Sequence, residues 1–175
     1  GLTLELSAGA GNFIGLVPES IAGRTKFIAI ERDSLTSRIT RLLYPQETVL
    51  NAGTQEVPIP DSEAVLNIGN PPFGSESLLW QYKPEYKGAS IHNQFFLAGV
   101  DALQPGGLHI AVVSHYLLDA QDPGVREQLA QKAKLIGAIR LPDTAFKENA
   151  RTEVVADIVI LQRLSPSEQM AMEDA

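Results

Sequence analysis

The chain contains 175 residues, with 14 Lys and Arg against 21 Asp and Glu, which gives a formal net charge of −7. The length suits one domain with a sizeable core, and 44% hydrophobic with 20% charged residues is an ordinary globular composition. The absence of cysteine excludes a disulfide scaffold, a zinc ribbon and a cysteine nucleophile. The negative charge argues against this chain alone gripping a nucleic-acid backbone.

Neither a membrane nor a metal is indicated as a partner. No apolar run approaches the roughly 18 residues that a membrane span needs, and no secretory signal is present. Together with the lack of cysteine, this predicts a cytoplasmic protein. The three histidines, His92, His109 and His115, form no metal-binding pattern with nearby carboxylates. Because the chain passes straight from Gly1 into an apolar segment, we expect a piece of something longer.

Short apolar segments rich in β-branched residues alternate with helix-like ones along the chain, which predicts an α/β fold with a mostly parallel sheet covered by helices. The predicted strands are 3–6, 26–31, 48–51, 64–69, 108–113, 135–140 and 155–162. The predicted helices are 12–22, 34–43, 90–103 and 123–133.

Several details accompany these elements. Ser34 is the predicted N-cap of the second helix, whose Leu35, Ile39, Leu42 and Leu43 share one face. Pro123 is the predicted first residue of the fourth helix. The remaining irregular segments are the long loops 70–89 and 141–154 and a polar tail from residue 165.

Small residues follow the first predicted strand in the segment LELSAGAGNFIG, 4–15. Gly9 and Gly11 would let the backbone approach a ligand, and free N–H groups at the next helix start would favour a polar or anionic group. Glu31 ends the second strand, where a carboxylate can accept both ribose hydroxyls. A dinucleotide fingerprint fails because its third glycine would fall at Ile14. The turn suits S-adenosylmethionine, although a plain tight turn with a surface glutamate also fits.

The fourth predicted strand delivers the tetrapeptide Asn70, Pro71, Pro72 and Phe73 to the same edge of the sheet. The Asn70 side-chain oxygen and the Pro71 carbonyl could accept hydrogen bonds from an exocyclic amine and stabilise the charge that grows as it attacks a methyl group. Two prolines would fix these acceptors, and Phe73 would stack on a planar substrate. A proline-rich turn with Phe73 in the core is the structural alternative.

The successive motifs LELSAGAGNFIG, GNPPFG and GGLHIAVVSHYLLD closely resemble those of adenine-N6 DNA methyltransferases. The segments IHNQFFLAGVDALQPGG and LIGAIRLPDTAFKENARTEVVADIVILQR are similar to the methylase-like module of large phage, plasmid and mobile-element proteins that often carry helicase domains. The resemblance covers roughly residues 2–164, and residues 165–175 would form a tail or linker. It implies a Rossmann-like class I methyltransferase fold with three layers, seven strands and an antiparallel last strand.

The resemblance also implies the site residues and partners. Asn70, Pro71, Pro72 and Phe73 would be the catalytic tetrapeptide. The cofactor S-adenosylmethionine would lie against Ser7, Ala8, Gly9, Gly11, Asn12, Glu31, Arg32, Gly53, Thr54 and Asn70. Glu31 would take the ribose, and the backbone around 51–54 would lie near the adenine. The resemblance implies that DNA is held by additional domains outside this chain. From the net charge of −7, we expect the isolated chain to bind DNA weakly.

Two other functions stay open at the level of sequence. The first is methylation of another amine, on guanine in ribosomal RNA or on a protein glutamine, and the second is a non-catalytic methylase-fold module in a larger DNA-processing protein. Among the remaining residues, His115 and Tyr116 follow the fifth strand on the ligand edge and could line a substrate pocket. The others have plainer interpretations, as core or strand-end residues (His109, Asp157) or as surface charge (Arg140, Lys147, Arg151).

Overall fold

The computed structural model describes residues 1–146 and 155–173. Within this part of the chain, seven strands form one sheet in the order β3-β2-β1-β4-β5-β7-β6. The strands are β1 Leu2–Glu5, β2 Lys26–Glu31, β3 Thr48–Asn51, β4 Ala64–Gly69, β5 Leu103–Ser114, β6 Ala133–Arg140 and β7 Ala156–Arg163. Strands β1 to β5 pair in parallel, whereas β7 is antiparallel to β5 and to β6. The mostly parallel sheet and its antiparallel last strand are therefore confirmed.

The strand predictions differ in accuracy from one strand to the next. Strands β2, β3 and β4 begin and end at the predicted residues. Strand β5 begins at Leu103 rather than at 108, and it therefore includes Pro105 and the two glycines that follow. This difference arises because Ala64 pairs with Leu103 before the ladder shifts register at Leu66.

Seven α-helices occur in the described residues: α1 Asn12–Gly15, α2 Glu19–Ala22, α3 Ser34–Leu43, α4 Ile91–Asp101, α5 Tyr116–Asp119, α6 Gly124–Ala130 and α7 Pro166–Glu173. Short 3₁₀ turns occur at Thr54–Glu56 and Pro84–Tyr86. None of these helices is long and apolar enough to cross a membrane.

Three predicted helix details are wrong. The single helix 12–22 is two short helices, because Pro18 has no N–H to donate and its ring would clash with the preceding turn. The N-cap of α3 is Asp33, whose carboxylate accepts the Thr36 N–H at 2.7 Å, and Ser34 is the first helical residue. The helix predicted over 123–133 covers only Gly124–Ala130, with Pro123 as its N-cap and with β6 already begun at residue 133.

The chain end also differs from expectation. The region predicted to be a polar tail contains helix α7, and Lys134 of β6 pairs with Glu168 of that helix at 2.8 Å. The assignment of residues 165–175 as a separate tail or linker stays a prediction. Of the basic residues near the second predicted loop, Lys147 and Arg151 lie outside the described residues.

Helices pack on both faces of the sheet and form two apolar clusters. The larger cluster joins α4, α5 and α6 to the central strands, with Phe96 and Val100 of α4 completely buried. The smaller cluster lies under α1 on the other face and includes Ile14, Phe27 and Val49. Helices on both faces make the three layers that the sequence predicts.

Helix α3 packs with its polar side inward. Ser37 and Thr40 are completely buried, whereas Leu35 and Leu42 of the predicted apolar face are 62% and 82% exposed. The Thr40 hydroxyl donates to the Gly9 carbonyl oxygen at 2.8 Å, so the buried side of the helix is the one that holds the glycine turn. The apolar face is therefore a solvent-facing surface of this chain.

The fold brings the two chemical motifs together. Strands β1 and β4 are neighbours in the sheet and run in parallel, so the glycine turn after β1 and the tetrapeptide after β4 leave the same edge side by side. The order of the sheet also changes direction there, since the chain runs outward from β1 to β3 and then returns to β4. Open α/β sheets bind ligands at such a switch point.

Replacing Gly99 by alanine is expected to destabilise the chain by about 1–3 kcal/mol, because it overpacks the α4–sheet interface. An added Cβ would overlap Asn67 Nδ2 and would lie 2.5 Å from His109 Cε1. These two buried side chains already bond to each other, Nδ2 to Nδ1, at 2.9 Å. Urea denaturation measures the change, with Gly23→Ala as the matched control because its Cβ would meet nothing within 4 Å. Equal stability of the two variants would contradict the packing argument.

Candidate active site

The turn after β1 depends on glycine at two positions. Gly9 and Gly11 have φ angles of 52° and 75°, in the left-handed region that side chains other than glycine disfavour. Gly11 also lacks space for a side chain, because an added Cβ would lie 2.7 Å from the Tyr44 ring. The backbone therefore turns sharply out of the sheet and leaves room above the end of β1.

The turn is held by hydrogen bonds within the chain. The Gly9 N–H donates to Glu31 Oε2 at 2.8 Å, and its carbonyl accepts from the Thr40 hydroxyl. The Gly11 N–H donates to the Ala8 carbonyl at 2.9 Å. The N–H groups of these two glycines therefore shape the turn, and the expectation of free N–H groups at the start of the following helix stays a prediction.

Glu31 lies at the end of β2 with both carboxylate oxygens engaged by backbone. Oε2 accepts from Gly9, and Oε1 accepts the Asp33 N–H at 2.7 Å. Each carboxylate oxygen keeps further acceptor capacity, and the two backbone donors fix the orientation of the group. A fixed carboxylate at this edge is suited to accept hydroxyl hydrogens from a ribose.

A cavity of about 450 Å³ lies above these strand ends. The predicted cofactor residues that line it are Ser7, Gly9, Glu31, Arg32, Gly53, Thr54 and Asn70. Ala8, Gly11 and Asn12 do not line it: Ala8 packs in the smaller apolar cluster, and Asn12 begins α1 on the exposed side. The structure thus brings seven of the ten predicted positions around one cavity.

Sequence reasoning missed part of the cavity wall. The additional lining residues are Leu6, Ile30, Gln55, Pro72, Glu76, Leu78, Ile91 and Phe95. Among them, the sequence predicts a role at the site only for Pro72, as part of the catalytic tetrapeptide. Ile91 and Phe95 lie on the inward face of α4, so their apolar spacing indicates burial but not a ligand. Gln55 and Glu76 come from irregular segments, where no periodic pattern shows which way a side chain faces.

The tetrapeptide after β4 spans two cavities. Asn70 and Pro72 line the first cavity, and the Asn70 carbonyl accepts from the Ser7 hydroxyl at 3.1 Å. Pro71 is buried beside the strand ends. Phe73 is 39% exposed and lines a second, open cavity of about 790 Å³. The peptide between Asn70 and Phe73 therefore forms the partition between the two.

Two histidines and two other aromatic side chains line the second cavity. His92, His115 and Tyr116 line it together with Phe73, and the His115 and Tyr116 rings lie 4.1 Å apart at 33°. Burial lowers the pKa of His92, whose Nδ1 lies 3.3 Å from the Gly74 carbonyl oxygen, so this imidazole is neutral at physiological pH. The possibility that His115 and Tyr116 face a pocket agrees with the observed lining.

A buried glutamate lies directly beneath the site. Glu5, the last residue of β1, is 2% exposed, and its Oε2 has no hydrogen-bond partner in the described part of the chain. Burial, and secondly the nearby Glu31 carboxylate, raises the pKa of Glu5 to about 8. Glu5 is therefore protonated at neutral pH.

The remaining candidates have structural roles. His109 is completely enclosed between α4 and the sheet, and burial lowers its pKa to about 3. Asp157, the second residue of β7, is 1% exposed and accepts from Nε of the half-exposed Arg140 at 2.8 Å. Residues 1–146 and 155–173 contain no group of three or more His, Cys, Asp or Glu side chains placed to hold a metal.

No protein-family model matches the chain. A curated relative, "Defense against restriction protein B" of Escherichia phage P1, is 31% identical over 167 residues, which are 93% of this chain and 7% of that protein. Two solved structures are similar over 94% of the chain. A Listeria monocytogenes protein assigned as a class I S-adenosylmethionine-dependent methyltransferase has a TM-score of 0.75 and 19% identity, with 54% of it covered. The type I restriction-modification methyltransferase subunit of Streptococcus thermophilus has a TM-score of 0.75 and 16% identity, with 40% covered.

The chain has a class I methyltransferase fold. The fold class predicted from the motifs is therefore confirmed. The chain spans less than a tenth of the phage protein and about half or less of the two solved chains. The relation to restriction-associated methyltransferases agrees with the predicted resemblance at this coarser level, while its narrower assignment to adenine-N6 methylases stays a prediction.

Proposed function

We propose that this chain binds S-adenosylmethionine and transfers its methyl group to the N6 amine of adenine in DNA. The observation that carries the proposal is the partition formed by Asn70 to Phe73. It has a nucleoside-sized cavity on one side and an open aromatic cavity on the other. Methyl transfer needs donor and acceptor to meet at one point, and the tetrapeptide is the segment that lines both cavities.

The first cavity fits the cofactor in size and chemistry. Its volume of about 450 Å³ lies within the range of small-molecule sites. The Glu31 carboxylate suits the ribose, and Leu78, Ile91 and Phe95 give apolar surface for a planar ring. The Ser7 hydroxyl, which donates to the Asn70 carbonyl, lines the same cavity. When bound, S-adenosylmethionine supplies an electrophilic methyl group on a sulfonium.

In the proposed mechanism, Asn70 and Pro71 act on the acceptor amine. The Asn70 side-chain oxygen and the Pro71 carbonyl accept hydrogen bonds from its two N–H groups and turn the nitrogen lone pair toward the first cavity. They also stabilise the positive charge that develops on nitrogen, and the prolines keep both acceptors in place. After the methyl group is transferred, one of the two N–H protons leaves the cationic nitrogen for solvent. Direct transfer requires no covalent intermediate on the protein, so no nucleophilic side chain takes part.

The aromatic lining of the second cavity supports a planar acceptor. Phe73 and Tyr116 offer ring faces, and a stacked base contributes about 1–3 kcal/mol in single-strand binding proteins. A glutamine side chain has no aromatic face to stack, so a nucleobase fits this lining better. A base in a duplex would have to be flipped out of its stack to reach the cavity.

DNA as the substrate is supported by the relatives. The phage protein is named for defence against restriction, and the solved Streptococcus thermophilus chain is a restriction-modification methyltransferase subunit. With a net charge of −7, this chain would hold DNA weakly by itself. We therefore propose that other domains of a longer protein grip the phosphates while this chain supplies the chemistry.

Titration calorimetry with S-adenosylmethionine and with its demethylated product tests the cofactor assignment. We expect saturable binding by the wild-type chain and about 10- to 150-fold weaker binding by Glu31→Ala, because a carboxylate that accepts hydroxyls contributes about 1.5–3 kcal/mol. Glu19→Ala, which removes an exposed carboxylate at the start of α2, is the matched control and should bind like the wild type. The absence of binding by the wild type would refute the assignment.

A further inference from the structure

The segment 74–90 connects the tetrapeptide to α4 and contributes to both cavities. Glu76 and Leu78 line the first cavity, whereas Gly74, Ser75 and Ser90 line the second. The predicted loop over 70–89 forms little regular structure, with only the 3₁₀ turn Pro84–Tyr86 inside it. Hydrogen bonds from side chains outside the segment therefore contribute to its shape.

The Gln94 side chain of α4 supplies much of that shape. It is completely buried, and its Oε1 accepts the Leu78 N–H at 2.9 Å. Its Nε2 lies 2.9 Å from the Leu78 carbonyl oxygen, 3.0 Å from that of Tyr86 and 3.1 Å from the Ser77 hydroxyl. The two hydrogens of this amide are thus shared among three acceptors from both halves of the segment.

Other contacts complete the anchoring around this amide. The Ile91 N–H donates to the Glu76 carbonyl at 2.7 Å, and the Gly88 N–H donates to the Ser77 hydroxyl at 3.1 Å. Trp80 is buried edge-to-face against Tyr86 and Phe95, at centroid distances of 5.4 and 5.8 Å. The apolar contacts pack the segment against α4. Within the described residues, only the Gln94 amide bonds both backbone groups of Leu78, which lines the first cavity.

We infer that Gln94 is a positioning residue that fixes segment 74–90 as the shared wall of the cofactor and acceptor cavities. The inference rests on the proposed function for the identity of the cofactor. Gln94 touches neither cavity itself and acts through Leu78, Ser77 and Tyr86. Loss of its amide leaves the Leu78 N–H and the Leu78 carbonyl oxygen without partners, whereas the Tyr86 carbonyl keeps the Ala89 N–H, so the segment opens locally around Leu78 to solvate these groups.

The test compares Gln94→Met, which keeps the length of the side chain but lacks the amide, with the wild-type chain. Hydrogen exchange of peptides covering 77–89 and calorimetric affinity for S-adenosylmethionine are the two readouts. We expect exchange in the segment to be about tenfold faster and affinity about tenfold weaker. Ser77→Ala, which removes one exposed partner of the amide, should shift both readouts in the same direction by a smaller factor.

Val100→Ala is the matched control, since Val100 lies on the same helix, is completely buried and lines neither cavity. It should destabilise the fold while leaving segment exchange and affinity as in the wild type. An affinity of Gln94→Met within about twofold of the wild type would overturn the inference. So would an equal loss of affinity in Val100→Ala, because the effect would then follow global stability. A wild-type chain that binds no S-adenosylmethionine would refute the proposed function instead, and the exchange comparison would still decide whether Gln94 holds the segment.

Discussion

Replacing Asn70 by alanine should lower methyl transfer by about 100- to 1,000-fold while leaving the affinity for S-adenosylmethionine nearly unchanged. The expected loss is that of one preorganised transition-state hydrogen bond, about 2.7–4 kcal/mol. Affinity should survive because Asn70 is one residue in a wall of fifteen, and its backbone carbonyl stays bonded to Ser7. The measurement is transfer of a labelled methyl group to adenine-containing DNA by the full-length protein.

The conservative variant Asn70→Asp keeps a side-chain acceptor at the same position and serves as the control. It should retain far more activity than Asn70→Ala, because its carboxylate oxygen can still accept from the amine. Full activity of the alanine variant would refute the role given to Asn70. Equal and complete inactivity of both variants would show that the side chain has to donate a hydrogen bond as well.

The second large effect concerns stability and pH. A glutamate in an unfolded chain titrates near pH 4.5, whereas burial and the Glu31 carboxylate raise the pKa of Glu5 in the folded chain to about 8. Between these two values the folded chain holds a proton that the unfolded chain has lost. The contribution of Glu5 to the free energy of unfolding is therefore most favourable below about pH 4.5. It declines as the pH rises to about 8, above which the full cost of burying the charged carboxylate remains.

The variant Glu5→Gln cannot titrate at this position. As the pH rises across this window, the free energy of unfolding of the wild type should therefore fall relative to that of the variant, by up to about 1.4 kcal/mol per pH unit. The buried amide adds an offset that does not vary with pH. Urea denaturation at pH 5, 6.5 and 8 measures the difference, and Glu19→Gln controls for the loss of one charge at the surface. Parallel curves for the wild type and Glu5→Gln would contradict the buried, protonated state of Glu5.

Three strands of the sheet could be predicted to the residue because their physical signal is local. Strands β2, β3 and β4 are short apolar runs bounded by polar or turn residues, and their boundaries follow directly. The motifs after β1 and β4 could also be placed together, since parallel neighbours deliver their ends to one edge. The start of β5 could not be predicted because it is set by a partner distant in sequence, since its first residue pairs with Ala64. Helix 12–22 instead failed at Pro18, a local signal that the apolar pattern does not contain.

Helix α3 shows the limit of periodicity as a signal. The spacing of Leu35, Ile39 and Leu42 correctly indicates one apolar face, but it does not determine which face is buried. The inward face is set by Thr40, whose hydroxyl bonds the Gly9 carbonyl, a contact between residues 31 positions apart. Tertiary packing therefore overrides the amphipathic pattern, and the same holds for Gln94, whose partners lie 8 to 17 positions away in an irregular segment.

The bonds that hold Gly9 have a consequence for the thermodynamics of binding. Its N–H donates to Glu31 and its carbonyl accepts from Thr40, so both bonds form within the chain. We therefore expect the turn to lose most of its conformational entropy during folding rather than during association. Affinity at this end of the cavity should then depend little on the ordering of the turn.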